Sequence, residues 1–246
     1  DPSGVVLINA DALATATGVA TALENVGKNL IRKNNNNLIA FWTDAASDPS
    51  CSLSSDEGAS WGAIQTESGT DVGVAIATNG SNAIYVTTNA GNGAGDIGYI
   101  YSVTGTCDTA GTYADVQGTD MIDHYRPDVA FDGNHNRFVV CAMDNDDFDI
   151  DYAYSTVGQT LSFTGVDAAG VSGAVTSTSC SIDADDNGNV FIASNEGATG
   201  IRVYNSSAGT FAATTARTAY GLAVSNMHMS IRGTTILITA VDTASS

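Results

Sequence analysis

Basic residues are scarce in this sequence. Lysine and arginine together number 8 against 27 aspartates and glutamates, for a formal net charge of −19, and Lys28 and Lys33 are the only lysines. A chain with this charge repels polyanions, because nucleic acid binding depends on cations that neutralise phosphates. The composition therefore excludes nucleic acids and anionic membrane surfaces as partners. It is typical of a protein that stays soluble in salt water or binds cations.

Long apolar runs are missing as well. No uninterrupted stretch approaches the ~18 residues of a membrane helix, and the longest, such as FVVCAM at 138–143, have the size of a strand. We therefore expect no membrane insertion. The first residue is Asp1, with no basic and apolar leader before it. This start fits removal of a signal peptide from a protein that is secreted or held on the extracellular surface, and it fits a trimmed chain equally.

The four cysteines lack a C-x-x-C spacing, which argues against a zinc knuckle. An even number of cysteines permits two disulfides in an oxidising compartment. Three connectivities are possible for four cysteines.

Helical periodicity is nearly absent, and a repeat of strand-like segments takes its place. Five segments share one plan, an alternating stretch, a turn rich in Asn, Asp and Gly, and an apolar stretch, which is the pattern of a β-hairpin. The second stretches begin at Leu38, Ala83, Arg137, Val190 and Ile236, at spacings of 45, 54, 53 and 46 residues. A period of this size in a strand-rich sequence indicates propeller blades.

A third strand and another turn follow each of the first four hairpins, so that a blade has four strands. The segments are PSCSLSSDEGASW, DIGYIYSVTGTC, DIDYAYSTVGQTLSF and GIRVYNSSAGTF. The fifth repeat stops after its second strand, and two strand-like runs near the N-terminus, VVLINA and GVATALENV, are able to supply the rest. We predict one all-β domain over 1–246, a propeller of five four-stranded blades closed by the N-terminal strands. The alternative is a fragment of a six- or seven-bladed propeller.

This scaffold assigns each cysteine to a blade. Cys51 falls in the third strand of the first blade, Cys107 after the third strand of the second, Cys141 in the second strand of the third, and Cys180 in the first strand of the fourth. We favour the pairs Cys51–Cys107 and Cys141–Cys180, each joining adjacent blades. Buried free thiols are the alternative.

The stretch SSDEGASW at 54–61 has the spacing S-x-D-x-G-x-x-W. It matches the Asp box of sialidase-like propellers, and the hairpin before it, with its LIAFW strand, resembles a blade of that superfamily. Degenerate copies follow in STVGQTLSF and NSSAGTF, so the resemblance covers most of the chain. Such boxes lie away from the active site of that superfamily. The resemblance therefore implies structural roles for Ser54, Asp56, Gly58 and Trp61.

In physical terms, Asp56 is placed to accept backbone N–H bonds across its own turn. Gly58 can adopt a positive φ. Trp61 is expected to bury its ring between sheets.

The catalytic set of the sialidase superfamily is largely missing. Its arginine triad binds a substrate carboxylate, beside a tyrosine nucleophile with its glutamate and an acid/base aspartate. Where its first two arginines are expected, this chain reads VGKNLI and WTDAAS, and none of Glu24, Glu57, Glu67 and Glu196 adjoins a tyrosine. The stretch YRPD at 125–128 is the local sequence most similar to an arginine motif of that superfamily. The resemblance thus implies the fold without the hydrolysis of sialosides.

The acidic stretch DNDDFDID at 144–151 is a candidate calcium site, because closely spaced carboxylates repel unless a hard cation or screening offsets them. The candidate ligands are Asp144, Asp146, Asp147 and Asp149, where calcium would rigidify the loop between the second and third strands of the third blade. Screening by water and salt is the alternative. DADDNG at 183–188 is interpreted as a hairpin turn, since Ser194 takes the place of the EF-hand glutamate.

The histidines His124, His135 and His228 are far apart and are expected at the surface or in turns. We predict no catalytic residues. Trp42, Tyr113 and Tyr125 lie near predicted loops and are candidates for stacking on a sugar, with a place in the core as the alternative.

The leading functional hypothesis is a non-enzymatic extracellular recognition or assembly module that binds a glycan or a protein, as in a cell-surface appendage, an adhesin or a phage receptor-binding structure. One alternative is a sialidase-like glycoside hydrolase, which predicts that groups such as Arg32, Arg126 and Asp128 converge. The other is a repeating subunit of a filament or capsid, which predicts homo-oligomers and a donated terminal strand.

Overall fold

The computed structural model describes residues 29–44, 48–66, 71–89, 96–102, 107, 114–116, 124–144, 150–156, 163–166, 179–195, 200–205, 211, 217–220 and 224–242. These ranges contain eighteen β-strands. Within them, no helix reaches the length and apolar character that a membrane crossing requires.

The strands form four antiparallel sheets of four strands and one hairpin. Sheet 1 consists of β1 (Leu30–Arg32), β2 (Leu38–Thr43), β3 (Pro49–Ser54) and β4 (Gln65–Thr66). Sheet 2 consists of β5 (Asp71–Thr78), β6 (Ala83–Asn89), β7 (Asp96–Ser102) and β8 (Ala114–Asp115). Sheet 3 consists of β9 (His124–Asp132), β10 (Arg137–Asp144), β11 (Ile150–Ser155) and β12 (Phe163–Val166). Sheet 4 consists of β13 (Cys180–Ala184), β14 (Val190–Asn195), β15 (Ile201–Asn205) and β16 (Arg217–Tyr220). The terminal hairpin consists of β17 (Val224–Arg232) and β18 (Thr235–Asp242).

The strand pattern confirms the predicted all-β class. In every sheet the strands are adjacent in chain order, first to fourth. Four of the five second strands begin at the predicted residues, and the last begins at Thr235, one residue before the predicted Ile236.

The second strands of sheets 2, 3 and 4 are apolar on both faces because neighbouring strands of another sheet or of the terminal hairpin pack on each face. In β10, Phe138, Val140 and Ala142 pack in one core with residues of sheet 2. The alternating residues, including Val139 and Cys141, pack in another core with residues of sheet 4. Since side chains alternate along a strand, a strand between two neighbouring sheets needs an unbroken apolar run.

The first strands of neighbouring sheets run in the same direction. The Ser181 hydroxyl accepts a hydrogen bond from Met229 N at 3.0 Å, and Asp183 Oδ2 accepts one from Ile231 N at 2.7 Å. The order of these contacts is the same on both strands, so β13 and β17 are parallel. First strands side by side, with the fourth strands at the far edge of each sheet, are the arrangement of propeller blades.

The turns between first and second strands meet at one end of the sheets, which we call the turn face and define by residues 33–37, 79–82, 133–136, 185–189 and 233–234. Asn34 N donates to Gly80 O at 2.9 Å. Asn134 Nδ2 donates to Asn189 Oδ1 at 3.0 Å. The opposite end, where the second strands finish at Thr43, Asn89, Asp144 and Asn195, is called the loop face.

DADDNG is the hairpin turn that the sequence predicts. Asp185 Oδ1 accepts hydrogen bonds from Asn187 N and Asn189 N at 2.9 and 2.8 Å. Gly188 has φ of +79°, and a Cβ there would lie 2.8 Å from Asn134 N of the neighbouring turn. Only glycine fits this position, because the backbone is left-handed and the adjoining turn is in contact.

Both disulfides have the predicted connectivity, and the alternative of free thiols is wrong for all four cysteines. Cys51 on β3 pairs with Cys107, which follows β7, and Cys141 on β10 pairs with Cys180 on β13. The first bond joins sheets 1 and 2, and the second joins sheets 3 and 4.

The terminal hairpin has two strands where the sheets have four. Among the described strands, β18 pairs with β17 alone. Ile236 and Leu237 on β18 are 37% and 60% exposed. The runs VVLINA and GVATALENV, predicted to complete this blade, lie outside the described residues.

Candidate functional site

The stretch SSDEGASW begins at the end of β3 and forms a hydrogen-bonded turn. The Ser54 hydroxyl donates to Asp56 Oδ1 at 2.8 Å and accepts from Gly58 N at 2.8 Å. Asp56 Oδ1 also accepts from Ser60 N at 2.8 Å, and Gly58 has φ of +93°. Hydrogen bonds from the Ser60 side chain, the Ser60 backbone and Ser54 lower the pKa of Asp56 from its ordinary value. The carboxylate is therefore held ionised across its own turn, which is unsuited to donating a proton at neutral pH.

The environment of Trp61 differs from the expected one. Trp61 is only partly buried. It is followed by β4, whose two residues, Gln65 and Thr66, are both exposed.

The Trp61 ring instead lines a cavity of about 380 Å³, which we call the Trp61 cavity. Its other lining residues are Leu53, Ser55, Ser60, Gly62, Ala63, Gln65 and Cys107. The indole Nε1 is buried and has no hydrogen-bond partner in the described part of the chain. The Cys51–Cys107 disulfide ties one wall of the cavity to sheet 1.

The chemistry of the Trp61 cavity suits a small polar organic ligand. Ligand sites combine an apolar or aromatic surface with a few well-placed polar groups, in volumes of about 300 Å³ upwards. Here the indole offers the flat surface, and Ser55, Ser60 and Gln65 offer two hydroxyls and an amide. The sequence signal for this site is Trp61 itself, and the other lining residues carry no local pattern.

The other candidate binding residues lie on the loop face or outside the described residues. Trp42, on β2 two residues before Asp44, is partly buried. Tyr125, the second residue of β9, is opposite Met143 in the register. These two residues belong to different sheets, 1 and 3. Tyr113 lies outside the described residues, as do Asp146, Asp147 and Asp149 of the predicted calcium site.

His124 departs from its expected place at the surface or in a turn. It is 1% exposed, begins β9 and lies opposite Asp144. Its Nε2 is 2.8 Å from Asp151 Oδ2 and 3.7 Å from Asp144 Oδ2. A β-bulge separates this end of β9 from its apolar part, with Arg126 at φ of +58°, so no alternation in the sequence shows that His124 is buried.

The other two histidines lie in different settings. His135 lies in the turn at 133–136, as expected, with Nδ1 2.7 Å from Asp132 Oδ2. His228 lies on β17 and is partly buried.

The structure places the groups that a sialidase-like site would bring together on two different sheets, 1 and 3. Arg32 ends β1 beside the turn face, with Nη1 3.6 Å from Glu57 Oε1. Arg126 lies on β9 near the loop face. Asp128 is fully buried, and its Oδ2 accepts hydrogen bonds from Ser181 Oγ and Ile182 N, both at 2.9 Å.

No family model matches the sequence, and no curated protein matches it. The fold, however, is similar to that of solved structures. A fungal lectin from Aleuria aurantia, with a six-bladed β-propeller fold and a fucose recognition mode, has a TM-score of 0.61 and 10% identity, covering 92% of this chain and 73% of the lectin chain. A protein of unknown function from Dyadobacter fermentans has a TM-score of 0.55 and 11% identity, covering 86% and 70%.

An intramolecular trans-sialidase from Ruminococcus gnavus, in complex with oseltamivir carboxylate, has a TM-score of 0.48 and 12% identity, covering 68% of this chain and 38% of the enzyme chain. The chain also spans 27% of the length of NanB. It is thus much shorter than these enzymes. Taken together with the four sheets, the similarity to the lectin shows a β-propeller type of fold.

Proposed function

We propose that this chain is a non-enzymatic extracellular propeller that binds carbohydrate, with the Trp61 cavity as its binding site. The observation that carries the proposal is a partly exposed indole beside hydroxyl and amide groups in a cavity of about 380 Å³. Sugars present a flat C–H surface that stacks on an aromatic ring and hydroxyls that exchange hydrogen bonds with polar side chains. Two disulfides fit an oxidising, extracellular compartment.

The lining of the Trp61 cavity favours a neutral sugar. None of its lining residues is charged. An acidic sugar needs a cation to bind its carboxylate, and the net charge of −19 repels it further. Fucose, which the Aleuria aurantia lectin recognises, belongs to this neutral class.

We expect replacement of Trp61 by alanine to lower the affinity for a neutral saccharide about 30-fold or more, since a tryptophan anchor contributes ~2 kcal/mol or more. Gln65→Ala removes one hydrogen bond at an exposed position and is expected to lower the affinity about fivefold. A screen on immobilised neutral and sialylated glycans identifies the sugar. Calorimetry with that sugar then measures the dissociation constants.

Trp42→Ala is the matched control, because Trp42 is the other tryptophan and lies on the loop face. The affinity of the Trp42→Ala variant for the same saccharide is expected to equal that of the unchanged protein. Loss of binding in Trp42→Ala but not in Trp61→Ala would move the site to the loop face, where Tyr113 and Tyr125 are the other candidates. Absence of binding to every neutral glycan would overturn the proposal.

We also propose that the ring has five blades, in which residues 1–28 add two strands to the terminal hairpin. The exposed side of β18, with Ile236 and Leu237, supports this proposal, because the other sheets cover such positions with a third strand. The alternative of six blades has its own support. The four sheets and the terminal hairpin amount to four and a half blades, which would be 75% of a six-bladed ring. This share is close to the 73% of the six-bladed lectin chain that this chain covers.

Hydrogen exchange and light scattering test the closure. We expect a monomer near 25.1 kDa, with slow amide exchange in 5–10, 18–26 and 235–242, and fast exchange in 235–242 once residues 1–28 are deleted. A monomer whose β18 exchanges quickly would contradict five-blade closure and favour a fragment. Concentration-dependent oligomers that protect β18 would instead support the filament or capsid alternative, in which another copy donates the strand.

A further inference from the structure

We propose that His124, Asp144 and Asp151 form a binding site for one first-row divalent metal ion, with Zn²⁺ as the preferred ion. This His-Asp-Asp site is independent of the Trp61 cavity and lies at the loop face of sheet 3. The three ligand atoms lie within 4.8 Å of one another. Around a tetrahedral ion with bonds of about 2.0–2.1 Å, ligand atoms are ~3.3 Å apart. The distances of 2.8 and 3.7 Å from His124 Nε2 to the two carboxylates bracket that value.

The register of sheet 3 delivers all three side chains to the same face. His124 lies opposite Asp144, and Asp151 lies opposite Ala142, which is two residues before Asp144 on β10. Residues opposite each other and residues two apart share a face of a sheet. Ala142 belongs to the core shared with sheet 2, so the ligands line the sheet 2 side of sheet 3.

Thr88 of sheet 2 adds a second, separate observation. Its side chain is 1% exposed, and its Oγ1 has no hydrogen-bond partner in the described part of the protein. Thr88 is two residues beyond Val86 on β6, and Val86 packs in the same core as Ala142. The alternation of side chains along β6 therefore places Thr88 on the face of sheet 2 that packs against the His-Asp-Asp side of sheet 3, near the loop face. A water molecule on the metal would supply the partner that this buried hydroxyl lacks.

The carboxylates of the site suit a cation. The side chains of His124 and Asp151 are 1% and 4% exposed, and that of Asp144 is 19% exposed. Two carboxylates held this close and largely out of water repel each other unless positive charge compensates them. A divalent ion would do so and would join the ends of β9, β10 and β11, with Asp144 on the side open to solvent.

The ligand set points to a transition metal and away from calcium. Imidazole suits zinc and its neighbours, whereas calcium takes oxygen ligands alone. The His-Asp-Asp site therefore differs from the predicted calcium site of Asp144, Asp146, Asp147 and Asp149, which has no histidine. The two hypotheses share Asp144 and are separated by His124 and Asp147.

The test is a zinc titration of the whole chain after treatment with EDTA, followed by calorimetry and native mass spectrometry. We expect one Zn²⁺ per chain. At a free zinc concentration of about 100 times the dissociation constant, the melting temperature is expected to rise by roughly 5–10 °C. Asp144→Asn and His124→Gln are each expected to lower the affinity at least tenfold, and Asp147→Asn is expected to leave it unchanged.

His135→Gln is the matched control, because His135 contacts a single aspartate, Asp132, at the turn face. It is expected to bind zinc like the unchanged protein. Since His124 is buried, circular dichroism checks its variant, and Asp144→Asn at the more exposed position carries the test if that variant does not fold. Three results would each overturn the proposal: no zinc binding, zinc binding unchanged in Asp144→Asn, or binding of calcium alone that Asp147→Asn abolishes.

Discussion

Replacing Asp128 by alanine is expected to lower the free energy of unfolding by about 3–5 kcal/mol. Asp128 is fully buried on β9, and its carboxylate accepts hydrogen bonds from Ser181 Oγ, Ile182 N and Val129 N. Two of these donors belong to β13, so the carboxylate joins the first strands of sheets 3 and 4. Alanine would leave the donors buried without their acceptor, which costs about 1–3 kcal/mol for each.

Urea unfolding followed by circular dichroism measures the change. Asp186→Ala is the control, because Asp186 is exposed in the turn at 185–189, and we expect it to alter the free energy of unfolding by less than ~0.5 kcal/mol. Asp128→Asn, which keeps one acceptor oxygen, is expected to fall between the two. If Asp128→Ala is as stable as Asp186→Ala, the carboxylate does not hold the two sheets together.

Asp128 also illustrates what local sequence patterns miss. In the sequence it belongs to YRPD, where it invites comparison with a catalytic group. Its hydrogen-bond partners on β13 are 53 and 54 residues away. A local sequence pattern does not predict a contact between parallel first strands of different sheets. The role of Asp128 in joining β9 to β13 is therefore visible only in the structure.

The hairpins, by contrast, are predictable because their turns carry their own chemistry. Asp185 caps its turn through Asn187 and Asn189, and Gly188 supplies the positive φ. These interactions span at most four residues, so the sequence contains both partners side by side. The same locality applies to the hydrogen bonds between Ser54 and Asp56.

The Trp61 cavity and the His-Asp-Asp site are the features that the sequence predicts least well. Trp61 precedes β4, a two-residue strand at the edge of sheet 1, and strand length at a sheet edge has no clear sequence signal. The burial of His124 depends on a bulge in β9 and on carboxylates from two other strands. The His-Asp-Asp site draws its residues from three strands of sheet 3, and the periodicity of a single strand does not contain their pairing.

Cleavage of both disulfides is expected to have the largest effect on stability. The bonds close loops with sequence separations of 56 and 39 residues. In the chain-entropy model each such loop stabilises the folded state by ~4 kcal/mol. Each bond also joins a different pair of neighbouring sheets, so their contributions are expected to add. Together they approach ~8 kcal/mol, which is comparable to the whole stability of many domains.

We therefore expect reduction to lower the melting temperature by roughly 15–30 °C. The paired variants Cys51→Ala/Cys107→Ala and Cys141→Ala/Cys180→Ala are each expected to account for about half of the fall. Differential scanning calorimetry with and without a reductant measures it, and the variant lacking all four cysteines controls for the reductant itself. Four reactive thiols in the denatured, unreduced protein, or equal melting temperatures in both conditions, would contradict the prediction. A fall confined to Cys51→Ala/Cys107→Ala would mean that sheets 3 and 4 are held by their core and by Asp128 rather than by the second disulfide.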